Sequence, residues 1–384
     1  MQDDFRLSRL ASLGPLNIAS NVQLFRDDRA IRTNDSKSKF GLSILLIENE
    51  TFRKMFESLE FRTSVRIGSY VFAFPESGAI YYRRKFLGQN LYMMLSNVTT
   101  TGTQFWVSKS VTRTVKLPLD IDLPRLQDMV NALLLTKLAQ IDWLVLHAAL
   151  VESPSGGLII SGYRDTGKTT TAFILSGLER YKALSDDITL VQSDGTCDGG
   201  GACHQASHGG FDRVPVYTIA GLTERGVVKS SGAKFLSPRR TFASILQRLS
   251  FLPCAPDFIT KIANELKYVK LTGDPQKIVT HSTNARYLLV LQTGRNTLTR
   301  VDEDTMLRKL MAIQRTEFYW FWSNFLLSTY SYIDHEFDFE YLERRYYELL
   351  RILIRKISPE LYVVQASAPE DFSKLILGLL QEKR

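Results

Sequence analysis

The run Gly162-Tyr163-Arg164-Asp165-Thr166-Gly167-Lys168-Thr169 has the residue types and spacing of a loop that holds phosphate, G-x-x-x-x-G-K-[ST]. Gly162 and Gly167 let the backbone curl so that successive N–H groups converge on an anion. A helix starting at the loop's end aims its positive pole at the same point. Lys168 brings a charge to the β- and γ-phosphates, and the Thr169 hydroxyl suits Mg²⁺. The expected ligand is ATP or GTP with Mg²⁺, contacted by the whole loop: Gly162, Tyr163, Arg164, Asp165, Thr166, Gly167, Lys168, Thr169 and Thr170.

A pair of acids, Asp186-Asp187, leads into the β-type run Ile188-Thr189-Leu190-Val191 one helix further on. Carboxylates beside a phosphate loop hold Mg²⁺, and one of them can take the proton of an attacking hydroxyl. Asp186 and Asp187 are therefore candidates for catalysis and, with Thr169, for the metal. His147 stands in the apolar run Trp143-Leu144-Val145-Leu146-His147-Ala148-Ala149-Leu150. A histidine there is either a satisfied core residue or a catalyst, and its own surroundings in sequence leave both open.

These residues need particular elements to position them. Trp143–Glu152 reads as a strand, Ser153-Pro154-Ser155-Gly156-Gly157 as a turn, and Leu158–Ser161 as a second strand, so a hairpin delivers the loop. Thr170-Thr171-Ala172-Phe173-Ile174-Leu175 continues the helix that follows it.

The run from His147 through the glycine loop and Lys168-Thr169 to Asp186-Asp187 resembles the HPr kinase/phosphorylase superfamily, whose nucleotide-binding core is related to phosphoenolpyruvate carboxykinase. The resemblance covers about residues 143–192 and implies an ATP-dependent phosphotransferase acting on a hydroxyl. It implies that Lys168 and Thr169 bind phosphate and Mg²⁺, that Asp186 and Asp187 supply a metal ligand and a base, and that His147 lies near the transferred phosphoryl group. HPr kinases proper carry an acidic residue just after the lysine-serine pair, where this chain has Thr170 and Thr171, so an acceptor other than HPr is expected. Kinases of this kind are often oligomeric, which extends a homo-oligomer to this chain as an expectation.

The remaining sequence bounds the setting. At 384 residues, 44% apolar and 11% aromatic, the chain can bury a sizeable core in about two domains. Its start lacks a basic region followed by an apolar run, and no stretch suits a transmembrane helix, so a cytoplasmic protein without a membrane span is expected. Cys197, Cys203 and Cys254 form no even disulfide framework. The net charge of +8 is concentrated: Phe211 to Arg300 holds 14 Lys and Arg against 5 Asp and Glu, with Arg239-Arg240 the densest spot. That surplus is either an ordinary solvated face or a field that steers anionic substrate. Nucleic acid is not expected as a partner, because no recognised module accompanies the charge. Cys197, Cys203, His204 and His208 offer four soft ligands, but C-x5-C-H-x3-H is no familiar zinc spacing, and the glycines around them favour a loop over the site.

Residues 1–120 read as a β-rich module, with a helix at about 51–59 and strands at 65–74, 79–82, 91–95 and 104–107. A helix from Asp122 to about Asp142 carries one apolar stripe, Leu123, Leu126, Val130, Leu133, Leu134, Leu138 and Ile141. Strands at 214–219 and 286–291 and helices at about 303–328, 338–356 and 370–382 complete the second part. Phe318–Trp322 reads as buried helix or an interface, and Phe372, Leu375, Ile376, Leu379 and Leu380 as the docking face of the last helix.

The expected fold is α/β: a β-rich N-terminal module, 1–120, followed by an HPr kinase-like P-loop domain, 121–384, with C-terminal helices. The expected function is transfer of a γ-phosphate to the hydroxyl of a small molecule or of a Ser/Thr in a peptide or protein, and the sequence does not choose between acceptors. The competing class is a nucleotide-binding switch or an ATPase or GTPase that transfers to no acceptor, and a carboxykinase-like lyase stands behind both.

Overall fold

The computed structural model describes residues 9–13, 16–20, 41–58, 64–86, 88–99, 102–114, 126–185, 188–192, 196–199, 213–215, 268–270, 283–322, 324–334, 336–356 and 359–382. It is a mixed α/β chain that divides into two compact units. One comprises Met1–Lys137, Phe251–Cys254 and Ser323–Arg344; the other comprises Leu138–Ser250, Ala255–Trp322 and Arg345–Arg384.

The first unit is built on an eight-stranded sheet of β1 (Arg9–Leu13), β2 (Leu16–Ser20), β3 (Gly41–Ile47), β4 (Val65–Ile67), β5 (Val71–Phe74), β6 (Ala79–Phe86), β7 (Gln89–Ser96) and β8 (Gly102–Ser108). Their order is β1-β2-β3-β8-β7-β6-β5-β4, with β2–β3 and β3–β8 parallel and the other pairs antiparallel. Residues 65–74, expected as one strand, form two. Gly68 at φ +69° turns the chain, and Val65 then pairs with Ala73. After β3, α1 (Asn49–Ser58) buries Phe52 and Phe56, four residues apart, against Tyr81, Tyr92 and Phe72. Arg53 bonds Glu50 and Glu57 along its solvent side, the i,i+3 and i,i+4 pairing that suits an exposed helix face.

Two more helices follow, α2 (Lys109–Thr114) and α3 (Leu126–Gln140). The single apolar stripe expected of α3 is not what forms. Ala132, Leu133, Leu134, Leu135, Thr136 and Lys137 are all buried, so this stretch of the helix is enclosed on every side. Thr136 returns its hydroxyl to Ala132 O, one turn back.

The second unit contains β9 (Trp143–Ser153), β10 (Gly156–Ser161), α4 (Lys168–Ser176), β11 (Lys182–Ser185), β12 (Ile188–Gln192), β13 (Thr196–Gly199), the two-stranded ladder of β14 (Arg213–Pro215) and β15 (Tyr268–Lys270), β16 (Thr283–Thr293) and β17 (Thr297–Arg300). Helices α5 (Glu303–Glu317) and α6 (Tyr319–Trp322) follow, then α7 (Phe325–Tyr330) of the first unit and α8 (Phe339–Lys356), and last β18 (Glu360–Ala366) and α9 (Pro369–Glu382). The single helix expected over 303–328 is thus broken twice, and the second break is capped by Asn324, whose side chain accepts from Leu327 N.

The long strand β9 pairs with β12 through residues 143–147 and with β10 through 148–153. Because β12 pairs β13, β13 meets the start of β16, and β16 runs parallel to β10, the five strands close on themselves. β16 also carries β18 in parallel, with β17 antiparallel beyond it.

Helices cover both faces. Ile159, Leu288 and Val290 pack with Met306, Leu310 and Ile313 of α5 and Leu349, Leu350 and Leu353 of α8. Their sequence neighbours Leu158, Ile160, Leu289 and Leu291 pack with Ala172 and Leu175 of α4 and Phe372, Ile376 and Leu379 of α9. Burial on both sides is why β10 and β16 are continuously apolar instead of alternating. The docking face expected of the last helix is the one that packs.

Candidate functional site

The glycine loop, 162–167, leaves the end of β10, between β9 and β16, and enters α4. Here the strand, loop and helix expected around the motif are in place. Glycine is required at both ends of the loop. A Cβ on Gly162 would stand 2.8 Å from Thr166 Oγ1 and 3.1 Å from Leu291 O. Gly167 has φ +97°, and a Cβ there would stand 3.0 Å from Pro369 Cγ at the start of α9. Asp165 also has a positive φ, +63°. The loop closes on itself as Thr166 N–H and Thr166 Oγ1–H both donate to Tyr163 O, at 3.3 and 2.7 Å.

Gly167 caps α4 without a side chain to accept from its first N–H groups, and the first turn holds no acidic residue. Lys168, the first helical residue, is only 5% exposed, and its Nζ donates to Gly162 O at 2.8 Å and Tyr163 O at 2.9 Å. The ammonium is folded back over the loop that precedes it. Thr169 and Thr170 are half-buried beside it, while Tyr163, Arg164 and Asp165 are exposed. Thr171, one turn on, is fully buried, and its hydroxyl is without a hydrogen-bond partner among the described residues.

A second cluster meets the loop from α5. Glu317, the last residue of that helix, is buried, and its Oε1 accepts from Arg164 N–H at 2.6 Å. Its Oε2 lies 3.6 Å from His147 Nε2 and 3.8 Å from Arg164 Nε. His147, 7% exposed, is held from several directions: its N–H donates to Gln314 Oε1 at 2.8 Å, its carbonyl accepts from Ser161 Oγ at 2.9 Å, and its ring meets Phe318 edge-on. Gln314 is fully buried, and its Nε2 is unpaired among the described residues. One carboxylate therefore joins β9, the loop and the end of α5.

The structure thus brings together His147, the loop residues Gly162 through Thr170, and Lys168. Asp186 and Asp187 lie outside the described residues, as do Cys203, His204, His208 and Arg239-Arg240; of Cys197 only the backbone, in β13, is described. On either side of the acidic pair, Ser185 is the Cα partner of Leu150 and Ile188 that of His147, on the same strand β9. Ser185 and Thr189 hydroxyls bond each other at 3.0 Å, and Thr189 donates to Ala148 O.

Gln314 and Glu317 were not singled out from sequence. The available signal was a pair of polar residues three apart within the apolar stripe of Met306, Leu310 and Ile313.

The residues present fit a phosphate group. A buried ammonium is held by neutral carbonyl oxygens, and a Cβ at either end of the loop would crowd Thr166 and Leu291 or Pro369. Among the described residues no three His, Cys, Asp or Glu side chains gather to hold a metal by themselves. Mg²⁺ that arrives with a nucleotide needs few protein ligands, and Thr169 is a suitable one. No described helix is long and apolar enough to cross a membrane. No protein-family model and no curated protein matches this chain.

Proposed function

We propose that the second unit is a P-loop kinase domain that moves the γ-phosphoryl group of ATP or GTP to an acceptor hydroxyl. The observation that carries the reading is Lys168: a buried ammonium at a helix N-terminus, held by the carbonyls of the loop it must serve. Lys168 exchanges Gly162 O and Tyr163 O for oxygens of the β- and γ-phosphates. The exchange is favourable because anionic phosphate oxygens replace neutral carbonyl oxygens as the ammonium's acceptors. The loop N–H groups and the first turn of α4 hold the rest of the phosphate chain.

Thr169 would hold Mg²⁺ with the phosphate oxygens, and Asp186 and Asp187 are the candidate carboxylates for the same ion. Bound there, Mg²⁺ would supply positive charge against that developing on the transferring group. One of the two aspartates takes the acceptor's proton, the acceptor oxygen forms a bond to the γ-phosphorus, and the bond from that phosphorus to the β,γ-bridging oxygen breaks, leaving the nucleoside diphosphate with the electron pair. His147, held on β9 beside the loop, lies on the side from which Glu317 also approaches.

The test is phosphorus NMR of the purified protein with Mg-ATP and a small-molecule extract, alongside Lys168→Ala. The expected result is a new phosphate ester with the wild type and none with the variant, whose affinity for Mg-ATP falls on the order of a hundredfold or more, about 3 kcal/mol. Inorganic phosphate as the sole product would instead favour a nucleotide-dependent switch or ATPase.

A further inference from the structure

Arg164 N–H belongs to the loop whose amides are the natural donors to a phosphate, yet it donates to a carboxylate, Glu317 Oε1, at 2.6 Å. The same carboxylate holds its other oxygen 3.8 Å from Arg164 Nε. Both groups that residue 164 can offer an anion, its amide and its guanidinium, thus face one buried acid of α5. The acid is 6% exposed at its side chain, so water screens it little.

We propose that Glu317 is the loop's resident anion: in the nucleotide-free protein its carboxylate occupies the Arg164 N–H, with the largely exposed guanidinium 3.8 Å away, and nucleotide phosphate displaces it. This rests on the reading of the loop as a nucleotide site. Two negative groups of this kind cannot share one amide, and their repulsion within a few ångströms in a poorly screened site opposes binding. Displacement frees the carboxylate on the side where His147 Nε2 already lies 3.6 Å from Oε2. Filling of the loop and settling of Glu317 against His147 then become one event. Glu317 acts as a positioning residue that tunes affinity; it does not touch the transferred group.

The neutral isostere separates the charge from the shape. Glu317→Gln keeps an oxygen that accepts from Arg164 N–H but removes the competing charge, so Mg-ATP, measured by titration calorimetry on the full chain, is expected to bind about tenfold tighter than to wild type, about 1.4 kcal/mol. Equal or weaker binding by a variant with an unchanged melting profile overturns the proposal while leaving the nucleotide reading intact. Failure of wild type and variant alike to bind Mg-ATP overturns both.

A measurement on the wild type guards against a variant that does not fold. Hydrogen exchange is followed with and without Mg-ATP: peptides covering residues 162–168 are expected to exchange more slowly, and those covering the end of α5 faster as Glu317 lets go. Slower exchange in both segments means that Glu317 stays on the amide, and the proposal fails.

Discussion

Each unit buries one lysine among its described residues, and the two are held in the same way for different ends. Lys137, in the last turn of α3, is fully buried and donates to Val98 O at 2.5 Å. Lys168, at the first residue of α4, is 5% exposed and donates to two loop carbonyls. Leu133 and Leu134, also fully buried, precede Lys137 by four and three residues on the same helix, and burial pushes its ammonium down from 10.5 to about 8. Lys168 instead sits where a helix begins and a loop turns through a positive-φ glycine, at the edge of exposed Tyr163, Arg164 and Asp165. A buried cation in apolar packing costs stability unless it pairs. One whose acceptors are loop carbonyls beside solvent can trade them for a ligand.

The same substitution at both positions sharpens that contrast. Lys168→Met should remove Mg-ATP binding, by on the order of a hundredfold or more, with a melting temperature close to wild type. Lys137→Met should leave binding alone and change how stability depends on pH. Its folded value lies below its unfolded one, so between about 8 and 10.5 the unfolded chain binds more protons and stability rises with pH. The rise attributable to this group between pH 7.5 and 9.5 is about 2 kcal/mol and should be absent in Lys137→Met when denaturant melts are compared at those two values. A variant that keeps the rise would remove Lys137 as its source.

The loop side of the contrast also rests on backbone shape. Gly167→Ala places a Cβ at φ +97° and 3.0 Å from Pro369 Cγ. A left-handed conformation costs a non-glycine residue about 1–2 kcal/mol, and relief of the contact must move the loop or the start of α9. Nucleotide affinity should fall at least about tenfold, with a modest loss of stability in the same preparation. If affinity is unchanged, loop curvature at Gly167 is not what presents the amides.

How much of this could be read in the sequence differs from element to element. The loop, its hairpin and α9 were legible because their signals are local: glycine spacing, a turn between two apolar runs, and a 3.6-residue stripe. The stripe assigned to α3 misled because a helix enclosed on all sides has no polar face to define one. The break at Gly68 was hidden within a run of β-formers. Gln314 and Glu317 escaped because their partners are remote: His147 is 167 residues from Gln314 and Arg164 is 153 from Glu317. No local periodicity encodes such a pairing. The candidate catalytic pair Asp186 and Asp187 lies outside the described residues, so its place in the site rests on the sequence.

The lysine of the first unit has a counterpart on the same residue, Val98, and this gives the smallest predicted effect. Lys137 holds Val98 through the carbonyl, while Tyr330 holds it through the amide: the Tyr330 hydroxyl accepts from Val98 N–H at 3.3 Å and donates to Gly78 O at 2.9 Å. Tyr330 is 1% exposed, with its ring edge-on to Phe337, and burial pushes its phenol up from 10.0 to about 12. Its linkage runs opposite to that of Lys137. Between pH 10 and 12 the folded chain binds more protons, so stability falls as pH rises. Tyr330→Phe should cost about 1 kcal/mol at pH 7, for hydrogen bonds lost without loss of ring packing. Above pH 10 its stability should decline less steeply than the wild type's, so the two denaturant midpoints converge. Parallel decline in both proteins would mean that other buried phenols, Tyr81 and Tyr92 among them, carry the alkaline loss, since burial raises these too.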